Sequence, residues 1–276
     1  MGMVSKLEST EVFKDYIGED FYKRQACSRH VCIPLENGAY FLAFYWCDIK
    51  NIRRKDERMC LFCGKNGIVY TGNSAFCSAI LKSLPETGEP FSLLAEFFSQ
   101  MTARDIDELE RIESSISELE LSLINTEKPM HGVSKRISEF RRSLIRMKRY
   151  YEQLSVVLEG LQEDENESIP AAAMKRLTGM GHRIRHLVQS VTELREYVTQ
   201  VRETYQAQID IEQNQIMKIF TVITAIFLPL TLIVGWYGMN FQIPEYGWQF
   251  GYLYVVILSI AVCGFCFWIF RKKKWF

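Results

Sequence analysis

Hydroxyl and amide side chains recur at helical spacing inside and next to an uncharged stretch of the sequence. No residue from Ile219 to Pro244 is charged. A helix would place one set of residues, spaced by threes and fours, on a single side. This set comprises Asn214, Met217, Thr221, Thr224, Leu228 and Thr231. Amide and hydroxyl oxygens can hydrogen-bond the water shell of a cation, although threonines in a helix can instead bond the carbonyls of that helix.

Two other groups of side chains have the spacing of metal ligands. Cys60 and Cys63 are spaced as in zinc or redox sites, and Cys77 could supply a third ligand, but no further Cys or His follows at a matching spacing. We expect these cysteines to be reduced thiols that pack as small apolar side chains. His182 and His186 share a helix face, but the two arginines between them would repel a cation, so we expect a structural or surface role.

The composition limits the possible functions. The chain has 276 residues, with 33 basic and 33 acidic side chains and a formal net charge of zero. A nucleic-acid-binding protein would show an excess of basic residues, so we expect no nucleic-acid partner. No Ser-His-Asp set, glycine-rich phosphate loop or carboxylate pair indicates an enzyme, and no motif indicates an organic cofactor.

Two uncharged runs are long enough to position the polar stripe in a lipid bilayer. They contain 26 residues (Ile219–Pro244) and 25 residues (Tyr246–Phe270), whereas about 20 apolar residues cross the hydrocarbon core. The sequence therefore predicts a membrane protein. Its predicted parts are a transmembrane helix at residues 216–237, an extracytoplasmic loop at residues 238–250, a second transmembrane helix at residues 251–271 and a basic cytosolic tail at residues 272–276.

Charged residues beside these runs predict the orientation of the chain. Basic residues lie before the first run (Lys218) and after the second (Lys272, Lys273 and Lys274). Because basic residues are enriched on the cytoplasmic side, both termini are predicted to be cytoplasmic in a multi-pass protein of the cell (inner or plasma) membrane. Glu245 is the only charged residue in the predicted outer loop. It could concentrate cations there, or it could be a solvated loop residue without a functional role.

The preceding residues predict a cytosolic part, which makes the fold class α+β and mainly α. Residues 1–90 contain short aromatic runs between Gly and Asn turns, typical of a small α/β domain with strands. Residues 91–215 carry apolar side chains at three- and four-residue spacing, which predicts a stalk of long coiled-coil helices. The helical patterns run from about Phe91 to Asn125, from Val133 to Leu161, and from Ala171 without a stop to Tyr237.

The first uncharged run and the residues after it resemble the CorA family of magnesium transporters. The likeness extends from about Asn214 to Phe276 and includes the family's Tyr-Gly-Met-Asn signature at Tyr237–Asn240. This signature lies at the exit of the first predicted span and is followed by a second span and a basic tail, as in the family. The resemblance implies a homopentameric funnel in which five copies of the first span line a central pore and the second span faces lipid.

The resemblance also implies an entrance and a regulatory site. Tyr237, Gly238, Met239 and Asn240 would form the selective entrance of the pore, where the Asn240 amide would contact an ion that keeps its water. Magnesium would be both the transported ion and a regulator. The acidic residues that would bind the regulatory ion are Glu203, Asp210 and Glu212.

The pore itself would be lined by residues of the first span. The implied lining residues are Asn214, Met217, Phe220, Thr221, Thr224, Leu228 and Thr231. Of these, Met217, Phe220 and Leu228 are apolar and could form a constriction that excludes ions when dry. Pro229 cannot donate a backbone hydrogen bond, and the carbonyl that it leaves free could face the pore.

The implied function is channel-like uptake of magnesium, with cobalt and nickel as surrogate ions. Uptake would be driven by the membrane potential and closed by intracellular magnesium. The implied partners are other copies of this chain, the lipid bilayer and divalent cations. Two alternatives remain open: a zinc transporter of the related ZntB type, and a non-conducting, membrane-anchored coiled-coil scaffold or sensor. The scaffold alternative predicts a first span without a polar stripe.

Overall fold

The computed structural model describes residues 4–6, 31–35, 37–51, 54–85, 87–125, 132–164, 167–240 and 247–272. The strands among these residues are β1 (Val4–Lys6), β2 (Val31–Pro34), β3 (Tyr40–Trp46), β4 (Glu57–Gly64) and β5 (Gly67–Gly72). The helices are α1 (Ala75–Ser83), α2 (Pro90–Met101), α3 (Asp105–Ile124), α4 (Val133–Gln162), α5 (Ala171–Tyr237) and α6 (Gly251–Lys272).

The described strands form one sheet in the order β1-β5-β4-β3-β2. β1 is parallel to β5, and the other neighbouring strands are antiparallel. A two-residue turn joins β4 to β5, and the φ angle of Gly67 after it is 131°, a value that residues with a side chain rarely adopt. β3 and β5 lie where the aromatic runs of the sequence predicted strands.

One face of the sheet packs against α2 and α4. The Phe44 ring of β3 lies 6.4 and 5.9 Å from the rings of Phe97 and Phe98 in α2, measured between centroids. On the same face, Cys32 lies so near α4 that a Cβ atom added to Gly160 would be 2.7 Å from the Cys32 Cβ. The other face carries a smaller apolar cluster, which comprises Ile33, Phe41, Ala43 and Cys60.

The first predicted long helix is interrupted in the structure. The sequence pattern predicted one helix over Phe91–Asn125, but α2 and α3 are separate and residues 102–104 lie between them. Arg183 of α5 donates hydrogen bonds to the carbonyls of Thr102 (3.0 Å) and Ala103 (3.3 Å). Carbonyl groups at a helix end lose their helical partners, so this arginine, about 80 residues away along the chain, stabilises the interruption. The prediction of continuity was wrong for that reason.

Asp105, the first residue of α3, is buried beside the interruption. The hydroxyl of Tyr151 in α4 donates to its Oδ2 atom at 3.1 Å. Burial raises the pKa of Asp105 from 3.8 to about 7; the Tyr151 hydrogen bond and the Arg183 charge oppose this rise, and the Glu108 charge adds to it. The folded state therefore favours the protonated carboxyl. Its contribution to stability is fully present below about pH 4 and is lost as the pH rises to about 7.

Replacing Asp105 with asparagine should remove this pH dependence. At pH 8 we expect the variant to exceed the original protein in stability by up to about 4 kcal/mol, since each pKa unit corresponds to about 1.4 kcal/mol. At pH 4 the two should be nearly equal. Unfolding of the full chain in detergent, followed by circular dichroism at both pH values, measures the difference. Asp107→Asn, at an exposed position of the same turn, is the control. A variant that is less stable at both pH values would contradict the account.

The chain divides into two compact units, and the division falls within α5. One unit contains the sheet, α1 to α4 and α5 up to Glu203, and the other contains α5 from Thr204 together with α6. α5 is one helix of 67 residues and α6 has 22 residues. The fold class predicted from the sequence is confirmed: the protein is mainly α, with a sheet near its N-terminal end, long helices and two apolar helices near its C-terminal end.

Candidate functional site

Within the described ranges, α5 and α6 are the helices long and apolar enough to cross a membrane. Almost no residue of their most apolar stretches is buried in the isolated chain, and α6 has no buried residue. Exposed apolar surface of this extent is unfavourable in water and is stabilised by lipid or by other subunits. The polar stripe of the sequence lies on one of these two helices, α5.

The predicted pore-lining residues all lie on the second half of α5. Six of them fall within about a third of the helix circumference at 100° per residue, and Phe220 lies beside them. The apolar members are exposed, by 57% for Met217, 62% for Phe220 and 67% for Leu228. The polar members at the surface are Asn214, Thr221, Thr224 and Thr231. One side of α5 thus presents both oxygen atoms and apolar groups.

The three threonine hydroxyls of this side bond to their own helix. Thr221, Thr224 and Thr231 each donate to the carbonyl four residues earlier, and each hydrogen bond is 2.8 Å long. These are the bonds expected if the threonines only satisfy their own helix. A hydroxyl that donates one hydrogen bond keeps lone pairs on its oxygen. The oxygens can therefore still accept hydrogen bonds from water molecules around a cation.

Pro229 has no backbone N–H, so the carbonyl of Ala225 lacks its helical hydrogen-bond donor. A side chain of α6 takes the place of that donor. The Cys266 Sγ atom of α6 lies 3.7 Å from the Ala225 oxygen, at the distance of a weak hydrogen bond from a thiol. The freed carbonyl thus contacts the second apolar helix, whereas the sequence suggested that it could face a pore. Counting four residues back from Pro229 would have found Ala225, but only the packing of the two helices identifies Cys266.

Replacing Cys266 with valine should lower stability by about 1 kcal/mol. The change leaves the Ala225 carbonyl without a partner in an apolar environment. Cys266→Ser, which retains a donor, should lose less. Thermal unfolding of the full chain in detergent measures the effect, and Cys263→Val on the same helix is the matched control. Equal losses for the two valine variants would mean that the thiol contributes packing alone.

The signature residues form the turn at the end of α5. The Gly238 nitrogen donates to the Val234 carbonyl at 2.8 Å, and the Met239 nitrogen donates to the Trp236 carbonyl at 3.4 Å. A Cβ atom added to Gly238 would lie 2.9 Å from that same Val234 oxygen, nearer than side-chain carbons normally approach. Glycine is therefore needed here for close approach of the backbone. Asn240 follows the turn with its side chain exposed.

Of the predicted charged residues around the apolar helices, the structure describes two. Lys218 is exposed on α5. The Lys272 Nζ atom at the end of α6 lies 5.2 Å from the centroid of the Trp268 ring, within cation–π distance. Glu245, Lys273 and Lys274 lie outside the described residues.

The acidic residues predicted to bind a regulatory ion are spread along α5. Glu203 and Asp210 are exposed and Glu212 is partly buried. In the described part of the chain, no three His, Cys, Asp or Glu side chains are grouped so that they could hold a metal ion. The regulatory role of these residues stays a prediction.

The cysteines and histidines with metal-ligand spacing do not converge. Cys60 belongs to the smaller apolar cluster on one face of the sheet, and Cys63, three residues later on the same strand, faces the other way. Burial raises the pKa of both thiols and raises that of Cys77 to about 12, so all three are neutral at physiological pH. His182 Nδ1 lies 3.0 Å from the Arg185 guanidinium.

Comparison with known proteins relates most of the chain to one family. A family model described as "CorA-like Mg2+ transporter protein" matches residues 49–272. The "Cobalt/magnesium transport protein CorA" of Thermotoga maritima is 29% identical over 168 residues, which are 60% of this chain and 47% of that protein. The matched part of the chain spans 47%, 32% and 62% of the length of three curated relatives.

Solved structures show the same fold. The CorA magnesium transporter of Methanocaldococcus jannaschii superposes with a TM-score of 0.77 and 19% identity, covering 98% of this chain and 84% of that one. The ZntB cytoplasmic domain of Vibrio parahaemolyticus gives a TM-score of 0.57 and 13% identity, covering 72% of this chain and 82% of that one. At these identities the likeness concerns the fold alone.

Proposed function

Since this chain belongs to the family of CorA-like Mg²⁺ transporter proteins, we propose that it carries Mg²⁺ into the cell through a channel-like pore. One observation carries the proposal: a single side of α5 presents amide and hydroxyl oxygens and leads to the Gly238–Asn240 turn. Mg²⁺ gives up its water reluctantly. Oxygens that accept hydrogen bonds from that water can pass the hydrated ion along without binding it tightly.

The membrane potential is sufficient to drive this uptake. Two positive charges that move inward gain about 4.6 kcal/mol per 100 mV, because each charge gains about 2.3 kcal/mol. No nucleotide hydrolysis is needed in this mechanism. Its direction assumes that both termini are cytoplasmic. This part of the proposal is supported by Lys218, which precedes the apolar stretch of α5, and by Lys272, which ends α6.

The pore requires several copies of α5 around one axis, and we place five there by analogy with the family. The exposed apolar surface of α5 and α6 supports association, since it needs a cover of lipid or protein. Met217, Phe220 and Leu228 would meet across the axis as apolar rings. A ring of this kind is a barrier to a hydrated ion, because the ion would lose contact with polar groups.

Closure of the pore by intracellular magnesium is the regulatory part of the proposal. Glu203, Asp210 and Glu212 lie on the helix that also carries Met217. Carboxylates are hard oxygen ligands of the kind that Mg²⁺ prefers. A metal ion held by these acids on neighbouring copies would draw the helices together and narrow the pore below the entrance.

Zinc transport is the competing function of the same class, and the fold does not separate the two because a ZntB domain also superposes. The polar groups of the α5 stripe are amide and hydroxyl oxygens, which favours Mg²⁺, since zinc prefers histidine nitrogen and cysteine sulfur ligands. The non-conducting scaffold is disfavoured because it would not need the polar stripe.

Flux into proteoliposomes tests these alternatives. Purified protein would be reconstituted, and influx of Mg²⁺, Co²⁺, Ni²⁺ and Zn²⁺ would be compared under the same inside-negative potential. We expect Mg²⁺ influx, with Co²⁺ and Ni²⁺ as weaker surrogates. Influx of Zn²⁺ alone would support the ZntB-like alternative, and no flux from correctly assembled protein would support the scaffold. The mass of the complex in detergent checks the oligomer, since a monomer or dimer cannot enclose a pore.

A further inference from the structure

A cavity of about 920 Å³ lies in the unit that contains the sheet, between α4 and the segment that joins β3 to β4. Its walls come from the end of β3, from residues 55–56 and from the middle of α4. None of its lining residues belongs to the apolar helices or to the predicted pore. Its volume is in the range of sites that bind small molecules.

The walls of this cavity are held in place by hydrogen bonds. The Gln153 side chain of α4 accepts a hydrogen bond from the Tyr45 backbone nitrogen at 3.0 Å and donates one to the Tyr45 carbonyl. At the end of β3, this side chain thus makes the two backbone hydrogen bonds that a neighbouring strand would otherwise make. Arg146 of α4 donates to Asp56 Oδ1 at 2.6 Å and also to the Arg54 carbonyl. The two walls opposite α4, the end of β3 and residues 54–56, are therefore fixed relative to this helix.

The charges on the walls are unbalanced. The cationic lining residues are Lys55, Arg142, Arg146 and Arg149, and the anionic ones are Asp56 and Glu152. Each acid already has a cationic partner: Asp56 pairs with Arg146 at 2.6 Å, and Glu152 pairs with Lys148 at 3.6 Å. Within the described ranges, the other three cations make no hydrogen bond or ion pair. Lys55, Arg142 and Arg149 are therefore three positive charges, all exposed at the cavity, for which the described residues supply no counter-charge.

Three of the cationic residues form one stripe of α4. Arg142, Arg146 and Arg149 are separated by four and three residues, at which spacing like charges on a helix repel each other. The positions of Arg142 and Arg149 are about 10 Å apart along the axis, at 1.5 Å per residue. A bound anion would offset the repulsion. It would have to carry several charges along its length in order to reach both ends of the stripe.

We propose that this cavity binds an anion with a chain of phosphate groups, such as a nucleoside triphosphate or an inorganic polyphosphate. Guanidinium groups match phosphate oxygens with paired, charge-assisted hydrogen bonds. Arg142 and Arg149 supply such groups at the two ends, Lys55 supplies a point charge from the opposite wall, and Arg146 holds that wall in place. The inference concerns the unit that contains the sheet and does not depend on transport by the apolar helices.

Calorimetric titration of the full chain in detergent tests the inference. The probes are sodium tripolyphosphate and ATP, both with EDTA present so that binding does not involve a divalent metal. The double variant Arg142→Ala/Arg149→Ala should bind about a hundredfold more weakly, since two charge-assisted contacts are lost. Arg142→Lys/Arg149→Lys, which retains both charges, should bind with an intermediate affinity. The matched control is Arg141→Ala, at an exposed position on the same helix outside the cavity.

Equal affinities for the two probes would show that the phosphate chain is recognised, and tighter binding of ATP would show that the nucleoside adds contacts. Either result supports the inference, provided that affinity falls as salt concentration rises. Absence of binding at millimolar probe would overturn it. So would equal affinities of the Arg142→Ala/Arg149→Ala and Arg141→Ala variants. Because the readout is binding in the absence of Mg²⁺, failure here leaves the transport proposal unaffected, and failure of transport leaves this inference standing.

Discussion

Replacing Asn240 with alanine is expected to reduce Mg²⁺ uptake by at least about a hundredfold without preventing membrane insertion. The change removes an amide oxygen from every copy of the chain at the proposed entrance. Each hydrogen bond lost to a charged group costs about 1.5–3 kcal/mol, so several losses around one ring leave the entrance unable to hold a hydrated ion. Uptake in proteoliposomes, normalised to the amount of inserted protein, measures the effect.

Gly238→Ala should give a similar loss through a different cause. Its Cβ atom would be forced to within 2.9 Å of the Val234 oxygen, so the turn that presents Asn240 would have to shift. The matched control is Gly264→Ala in α6, where an added Cβ meets no atom within 4 Å, and this variant should retain uptake. Uptake at the original level by a correctly assembled Asn240→Ala variant would remove the basis for assigning the entrance to this turn.

Replacing Met217 with serine is expected to raise the basal leak of the closed pore by about tenfold or more. If Met217 forms an apolar ring, the closed pore has a dry section that a hydrated ion cannot cross at low cost. A ring of serine hydroxyls would admit water to that section. Inhibition by internal magnesium should weaken at the same time, while selectivity at the Asn240 entrance is retained. Current measured at low and high internal magnesium reports both effects.

The control for this variant lies on the far side of the same helix. Ile219 is 60% exposed in the isolated chain and lies about 160° from Met217 around α5, at 100° per residue. Ile219→Ser should change the leak much less, because its side chain would face lipid or the second helix. If Met217→Ser leaves both the basal current and the magnesium inhibition unchanged, the gate lies elsewhere, and Phe220 is the next residue to test.

The sequence was informative wherever one physical requirement acts on a continuous segment. Apolar residues spaced by threes and fours predicted α4 and the full length of α5, and two uncharged runs predicted the apolar stretch of α5 and the helix α6. The alternation of aromatic runs with Gly and Asn turns predicted the strands β3 and β5. The family signature at Tyr237–Asn240 was readable because its residues are contiguous, and the structure adds the reason for Gly238, whose backbone approaches the Val234 carbonyl closely.

Features that depend on contacts between distant segments could not be read in the same way. The interruption after α2 relies on Arg183, which donates to carbonyls about 80 residues earlier. The altered pKa of Asp105 needs burial beside α4, and the partner of the Ala225 carbonyl is a thiol 41 residues away. The cationic cavity combines a loop before β4 with the middle of α4. None of these pairings leaves a periodic signal in the chain.

The most direct test of the central claim is the dependence of Mg²⁺ uptake on membrane potential. Proteoliposomes that contain the purified full chain, without ATP, would be given inside-negative potentials of different size through a potassium gradient and an ionophore. A channel-like pore predicts uptake that rises steeply with the potential, since a divalent ion gains about 4.6 kcal/mol per 100 mV, and that is lost in the Asn240→Ala variant. Uptake that does not change with the potential, or that is equal in the Asn240→Ala variant, would contradict the account.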